Sequence, residues 1–250
     1  MSFDNPAWRE MFFKLHSGLP REAPGSDEAT LRALQLSAPK ADAKIADMGS
    51  GPGAACIPLL KALPQASVFA CDLHEPFVVE ARARAAAAGV ADRIDAQVAD
   101  MGAPPLPPAS LDLIWAEGSL YALGIAEGLR AWRPLLAPGG RVAFSEAIRR
   151  RTPMAAAAEA FWQEYPALTD LAGTRARIAG AGYREVAAFD LPAQAWRAYL
   201  DPLEARANAL QAEATTQGAR AALDATLGEC ALFRDHGDDY GYAFFVVEPA

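Results

Sequence analysis

The sequence predicts an α/β domain, a largely parallel sheet with helices on both faces, and three observations predict it. Short β-rich apolar runs at 44–48, 67–71, 94–99, 111–116 and 141–146 alternate with helical runs at 54–63, 75–88 and 120–136. Strands separated by helices pair in parallel through right-handed crossovers, which buries the sheet on both sides. The first strand runs into Gly49-Ser50-Gly51-Pro52-Gly53, and the second ends on Asp72, about 20 residues further on.

The elements follow in chain order. Trp8, Met11, Phe12 and Leu15 recur at helical spacing, so residues 6–17 form an amphipathic helix. The Pro/Gly stretch from Leu19 to Ser26 cannot continue it. Asp27 and Glu28 suit the start of a second helix carrying Leu31, Leu34 and Leu36. Gly89 follows an alanine-rich run, where a left-handed cap belongs. In the 120–136 run, Ile125, Leu129, Trp132 and Leu136 share one face. Beyond residue 146 the pattern loosens into helices at 154–165 and 172–181, a strand at 184–189, a helical stretch at 194–232 and a closing strand at 242–247. The whole chain, 1–250, reads as one domain. Within it lie an N-terminal helical segment (1–40), a cofactor-binding core (41–147), and the remaining strands with a cap over the sheet edge (148–250).

Composition narrows the function classes. The chain has 250 residues, 52% hydrophobic and 22% charged, the ordinary globular mix. A formal net charge of −8 argues against nucleic acid as the main partner, since such proteins present a basic face. Three cysteines, Cys56, Cys71 and Cys230, lack metal-type spacing and read as thiols in a reducing compartment. Residues Met1 to Glu10 show no signal-peptide pattern, and no run is long and apolar enough to cross a bilayer, so a cytoplasmic, membrane-free protein is expected. His16 and His236 have no ligand-type neighbours in sequence, and no metal site is expected.

The glycine turn and Asp72 point to an adenosine-containing cofactor. Glycine lets the backbone leave the strand sharply and lets a ligand approach, and an acid ending the second strand accepts ribose hydroxyls. A dinucleotide lays its pyrophosphate on free N–H groups at the helix start, but Pro52 removes one donor and Asp47 brings an acid close by. S-adenosylmethionine, a sulfonium and ammonium without phosphate, suits such a turn better. Further along, Val98-Ala99-Asp100-Met101 ends the third strand, Trp115-Ala116-Glu117-Gly118-Ser119-Leu120-Tyr121 leaves the fourth, and Leu136-Ala137-Pro138-Gly139-Gly140 precedes the fifth. A carboxylate there can accept the adenine amine while a methionine packs on the ring, although a solvated strand end would look the same.

Together these motifs resemble the class I S-adenosylmethionine-dependent methyltransferases. Leu19 to Glu28, Trp115 to Tyr121 and Gly241 to Phe244 are similar to stretches of a bacterial group of small-molecule methyltransferases within that class. The resemblance implies a Rossmann-like seven-stranded sheet whose last strand is antiparallel. It implies that Gly49, Ser50, Gly51 and Gly53, with Asp47, line the methionine part of the cofactor. Asp72 would hold the ribose, Leu73 would pack on adenine, Asp100 and Met101 would flank the base, and Glu117 would sit near sulfonium and acceptor. Pro58 departs from the pattern, inside the helix after the turn, and implies a kink or a shifted start.

The acceptor side is less specific. Methyl transfer is an in-line displacement that needs alignment and dryness, with a base only for a protonated acceptor. Glu117, His74 and Tyr121 are the catalytic candidates, with Arg21 and Tyr165 as substrate contacts. The plainer readings are a helix-start residue for His74, a salt-bridge partner for Glu117, and core packing for Phe161, Trp162 and Tyr165. Arg149-Arg150-Arg151 reads as a solvated turn. The Glu117-Gly118-Ser119 turn departs from the Asn/Asp-Pro-Pro-Tyr/Phe turn of base-amino methylation, and Cys56 and Cys71 fall in core elements rather than at a cleft. A small-molecule acceptor is therefore expected. Two rival readings stand beside it, a nicotinamide-dependent oxidoreductase and a non-catalytic module that senses the cofactor.

Overall fold

The computed structural model describes residues 4–250; the Met1 to Glu10 stretch, read above for a signal-peptide pattern, lies partly outside them. The described chain is built from α1 (Pro6–His16), α2 (Asp27–Ser37), β1 (Lys44–Met48), α3 (Cys56–Ala62), β2 (Ser67–Asp72), α4 (Glu75–Ala87), β3 (Ile94–Val98) and β4 (Leu111–Glu117). It continues through α5 (Ile125–Trp132), β5 (Leu136–Arg149), α6 (Ala156–Trp162), α7 (Leu171–Gly180), β6 (Tyr183–Asp190), α8 (Ala193–Ala209), α9 (Gln217–His236) and β7 (Tyr240–Pro249). The strands form one seven-stranded sheet in the order β3-β2-β1-β4-β5-β7-β6. β7 runs antiparallel to both neighbours, and the pairs among β1 to β5 are all parallel.

Alternation along the strands divides the core in two. Ile45 and Trp115 face α1 to α4, α8 and α9, while Ala46, Met48 and Ile114 face α5 and α7. Both faces are covered, so β1 and β4 are buried almost end to end, as parallel strands should be. Strand order reverses between β1, which is followed on one side by β2, and β4 on the other, and a crevice opens there at the carboxyl ends.

Several boundaries differ from the sequence reading, each for a local reason. The 120–136 run is no single helix: Gly124 takes φ 83° and Pro134 stands in the closing 3₁₀ turn, so only Ile125–Trp132 is α-helical. The 194–232 stretch breaks between α8 and α9, where the Thr216 side chain caps α9 by accepting the Ala219 N–H at 3.1 Å. α3 starts late, at Cys56, which puts Pro58 in its first turn, where no intrahelical N–H is needed. Gly89 takes φ +71°, as the cap requires. The segment expected to cap the sheet edge instead brings α8 and α9 to the crevice. Arg149, Arg150 and Arg151 pair with Glu159, Asp190 and Asp239, so that turn is tied down by acids.

Candidate functional site

The glycine turn leaves β1 with its donors already committed. The Gly49 and Ser50 N–H groups both donate to the Cys71 carbonyl at 2.9 Å, and the Gly53 N–H donates to the Ser50 carbonyl at 3.0 Å. The Gly51 N–H donates to Asp72 Oδ2 at 3.0 Å, and the His74 N–H to Asp72 Oδ1 at 2.8 Å. Asp72 thus ties the turn to the start of α4. Glycine is required at 49, where φ is +70° and a Cβ would stand 2.6 Å from the Ser119 Cβ. Ser119 is itself held by donating to the Met48 carbonyl at 2.5 Å.

A cleft of about 590 Å³ opens on this turn, lined by Asp47, Gly49, Ser50, Gly51, Asp72, Leu73, Met101, Glu117 and Tyr121 among others. Leu73, beside Asp72, is 73% exposed at the rim. Asp100 is exposed, and its Oδ1 accepts the Gly102 N–H at 2.7 Å, while Ala99 and Met101 line the cleft. Asp47 does not stand as a free charge. It is 2% exposed, accepts from Cys56 Sγ at 3.1 Å, and burial pushes its carboxyl up to about 7. What disfavours a pyrophosphate is therefore less its charge than the lack of spare N–H groups in the turn.

Glu117 and Arg21 are brought together. Glu117 accepts from Thr30 Oγ1 at 2.6 Å and from Trp115 Nε1 at 3.0 Å, and its second oxygen faces Arg21 at 3.3 Å. Trp115 and Glu117 lie two apart on β4 and so share a face, which is why the indole can reach the carboxylate. Arg21 is 7% exposed and also approaches Asp27 at 3.6 Å. The pairing with arginine was the plainer reading of Glu117, and both side chains nonetheless line the cleft. His74 is not brought into the lining. Its ring stacks on Phe13 at 3.8 Å and meets Phe77 edge-on at 4.7 Å, and burial lowers its pKa.

A second pocket of about 370 Å³ adjoins the cleft, sharing Glu22, Tyr121, Tyr199 and Glu229 with it. Tyr121 and Tyr165 meet there edge to face at 6.1 Å, and Tyr165 O–H donates to Glu146 Oε1 at 3.4 Å. Phe161, Trp162 and Tyr165 line this pocket, so they wall a cavity as well as packing.

Sequence reasoning missed Thr30, Glu22, Glu146 and Glu229. Glu146 left a usable signal, a carboxylate inside the apolar run Phe144 to Ile148. His16, read as lacking a ligand-type partner, bonds Glu22 through Nδ1 at 2.6 Å. Among the described residues no three His, Cys, Asp or Glu side chains converge as a metal site would need.

Residues 45–140 match the methyltransferase domain family. The match runs from β1 through the glycine turn and Asp72 into β5. Over 118 residues the chain is 33% identical to the ubiquinone/menaquinone biosynthesis C-methyltransferase of Cereibacter sphaeroides and 32% identical to that of Paracoccus denitrificans. That stretch is 47% of this chain, and it spans about half, 47%, of each relative's length. Among solved structures, an S-adenosylmethionine-dependent methyltransferase from Geobacter sulfurreducens superposes with a TM-score of 0.84 at 18% identity, covering 96% of this chain and 98% of that one. One from Thiobacillus denitrificans gives 0.82 at 20% identity, with 96% and 98% covered. The chain therefore shares its fold with these proteins over nearly its whole length.

Proposed function

We propose that this chain binds S-adenosylmethionine in the cleft and transfers its methyl group to a small organic acceptor. The observation that carries the reading is the turn of the methyltransferase domain. Four of its N–H groups are consumed within the protein and Pro52 has none, so it suits a phosphate-free ligand. The cleft also has acidic walls, from Asp72, Glu22 and Glu229, which favour the sulfonium and ammonium charges. In this reading Gly49 to Gly53 and Asp47 hold the methionine part, Asp72 the ribose, and Leu73 and Met101 the faces of adenine.

When bound, the cofactor supplies a methyl group activated by its sulfonium. The residues then have to orient the acceptor and keep water out. Trp8 and Phe12 of α1 and Tyr199 of α8 line the cleft and can exclude water. Tyr121 and Tyr165 are read as acceptor contacts. Glu117, already holding Thr30, Trp115 and Arg21, is read as the residue that positions the α1–α2 connection against β4 rather than as a free base. A net charge of −8 and an acidic cleft disfavour nucleic acid as the acceptor. Three buried free thiols suit a reducing cytoplasm, and among the described residues no helix is long and apolar enough to cross a membrane.

The test is differential scanning fluorimetry with S-adenosylhomocysteine and NADH at equal concentration. S-adenosylhomocysteine should raise the melting temperature and NADH should leave it nearly unchanged. Asp72→Ala should weaken S-adenosylhomocysteine by ~1.5–3 kcal/mol, the worth of hydrogen bonds to a charged group. The same variant should lower the melting temperature slightly, because Asp72 also anchors the Gly51 and His74 N–H groups. Stabilisation by NADH alone would reject the cofactor assignment.

A further inference from the structure

The second pocket has walls of one kind and charges of one sign. Trp162, Tyr165, Trp196, Tyr199 and Tyr242 present aromatic surface, and the ionisable carboxyls around them are Glu22, Glu146, Glu164 and Glu229. No lysine, arginine or histidine lines it among the described residues. Glu146 is 2% exposed, with one oxygen accepting the Ala147 N–H at 2.9 Å and the Tyr165 O–H at 3.4 Å. Its other oxygen, Oε2, is buried with no partner, and so is Oε1 of Glu22. Folding left two carboxyl oxygens of the pocket's lining residues buried and without a hydrogen-bond partner, an arrangement that is unfavourable until something cationic or protonated fills it.

We propose that this pocket is the acceptor site and that its substrate class is a small alkyl amine, bound as its ammonium cation between aromatic faces and the Glu146 and Glu229 carboxylates. The assignment rests on the methyltransferase reading above. Aromatic faces attract an ammonium through the ring quadrupole, most strongly where water is excluded, and carboxylates supply the counter-charge. A neutral phenol or alcohol would leave the negative charges unanswered. The shared wall of Glu22, Tyr121, Tyr199 and Glu229 lets a ligand here face the cleft directly. Proton and charge also balance. A carboxylate of the pair takes the proton that the nitrogen must shed, the freed lone pair bonds the methyl carbon, and the carbon–sulfur electron pair stays on sulfur. The methylated nitrogen leaves as a cation and the sulfonium becomes a neutral thioether.

Choline and its uncharged isostere 3,3-dimethylbutan-1-ol probe the site by binding alone, since neither needs to be methylated. Calorimetric titration at pH 8, with and without S-adenosylhomocysteine, should show choline at least tenfold tighter than the alcohol. Tryptophan fluorescence should change on binding, because Trp162 and Trp196 line the pocket. Glu146→Gln should remove at least tenfold of choline affinity and leave that for S-adenosylhomocysteine within twofold. S-adenosylhomocysteine binding without any preference for choline would overturn the acceptor class and leave the cofactor reading standing. Loss of S-adenosylhomocysteine binding in the wild-type protein would overturn the methyltransferase reading, and this assignment with it. Unchanged choline affinity in Glu146→Gln would overturn the role of that carboxylate. The wild-type comparison decides the class even if the variant folds poorly.

Discussion

Glu117 shows how one carboxylate fastens three elements. Thr30 belongs to α2, Trp115 to β4 and Arg21 to the connection before α2, and all three converge on its two oxygens. Glu117→Gln can keep the bonds from Thr30 and Trp115 on the amide oxygen. Its NH₂ then faces the Arg21 guanidinium, donor against donor, and a nearly buried cation loses its main partner. Stripping the partner from a buried ion pair is strongly destabilising, and Asp27 at 3.6 Å offsets only part of it. Urea unfolding should show a loss of ~1–3 kcal/mol, roughly that of a hydrogen-bonded charged group. Unchanged stability together with a large fall in methyl transfer would mean that the charge serves the reaction instead. At this scale the sequence was legible where a residue's place at the cleft follows from its position on a strand end. Asp72 and Glu117 are of that kind. It was not legible for Glu229, which α9 brings to the cleft from far along the chain.

The α1–α2 connection works as a single piece. Ser26 caps α2 by accepting the Ala29 N–H at 3.2 Å, and Leu19 and Pro20 offer their carbonyls to Arg84 of α4 at 2.5 and 2.9 Å. Gly25 lies against the Arg21–Glu117 pair, where a Cβ would come 2.3 Å from the guanidinium and 3.1 Å from the carboxylate. Gly25→Ala should therefore cost ~1–3 kcal/mol, typical of overpacking, and weaken S-adenosylhomocysteine several-fold by shifting Arg21 within the cleft wall. A wild-type melting temperature would show that the pair can move aside freely. Strands were the most legible elements, because apolar β-rich runs of that length have few alternatives in an α/β chain. The α8–α9 break was not, because alanine-rich sequence supports helix on both sides of the Thr216 cap and composition alone does not mark the turn.

Across the whole molecule, the acidic pocket sets stability against function. Burial pushes the carboxyls of Asp47 and Glu146 up to about 7, and raises those of Glu22 and Glu229 as well. Around Glu146, Tyr165, Tyr121 and Tyr242 face it as neutral phenols, and the Arg177 cation lowers it. A carboxyl whose pKa is higher folded than unfolded contributes stability below its unfolded value, near 4.5 for glutamate, and that contribution fades as pH rises through about 7. The ligand-free protein should thus lose stability between pH 5.5 and 8, where many proteins are near their maximum. Glu146→Gln carries no charge to desolvate, so it should be more stable than wild type at pH 8 by ~1–3 kcal/mol, on a scale of 1.36 kcal/mol per pKa unit. The gap should narrow markedly at pH 5.5 and close only below the unfolded value near 4.5, where the carboxyl is protonated in both states. Denaturant titrations of both proteins at the two pH values check this, and a wild-type-to-variant difference independent of pH would rule out Glu146 as the titrating group. A bound cation would answer the same carboxylate, so choline should stabilise the wild-type protein more at pH 8 than at pH 5.5.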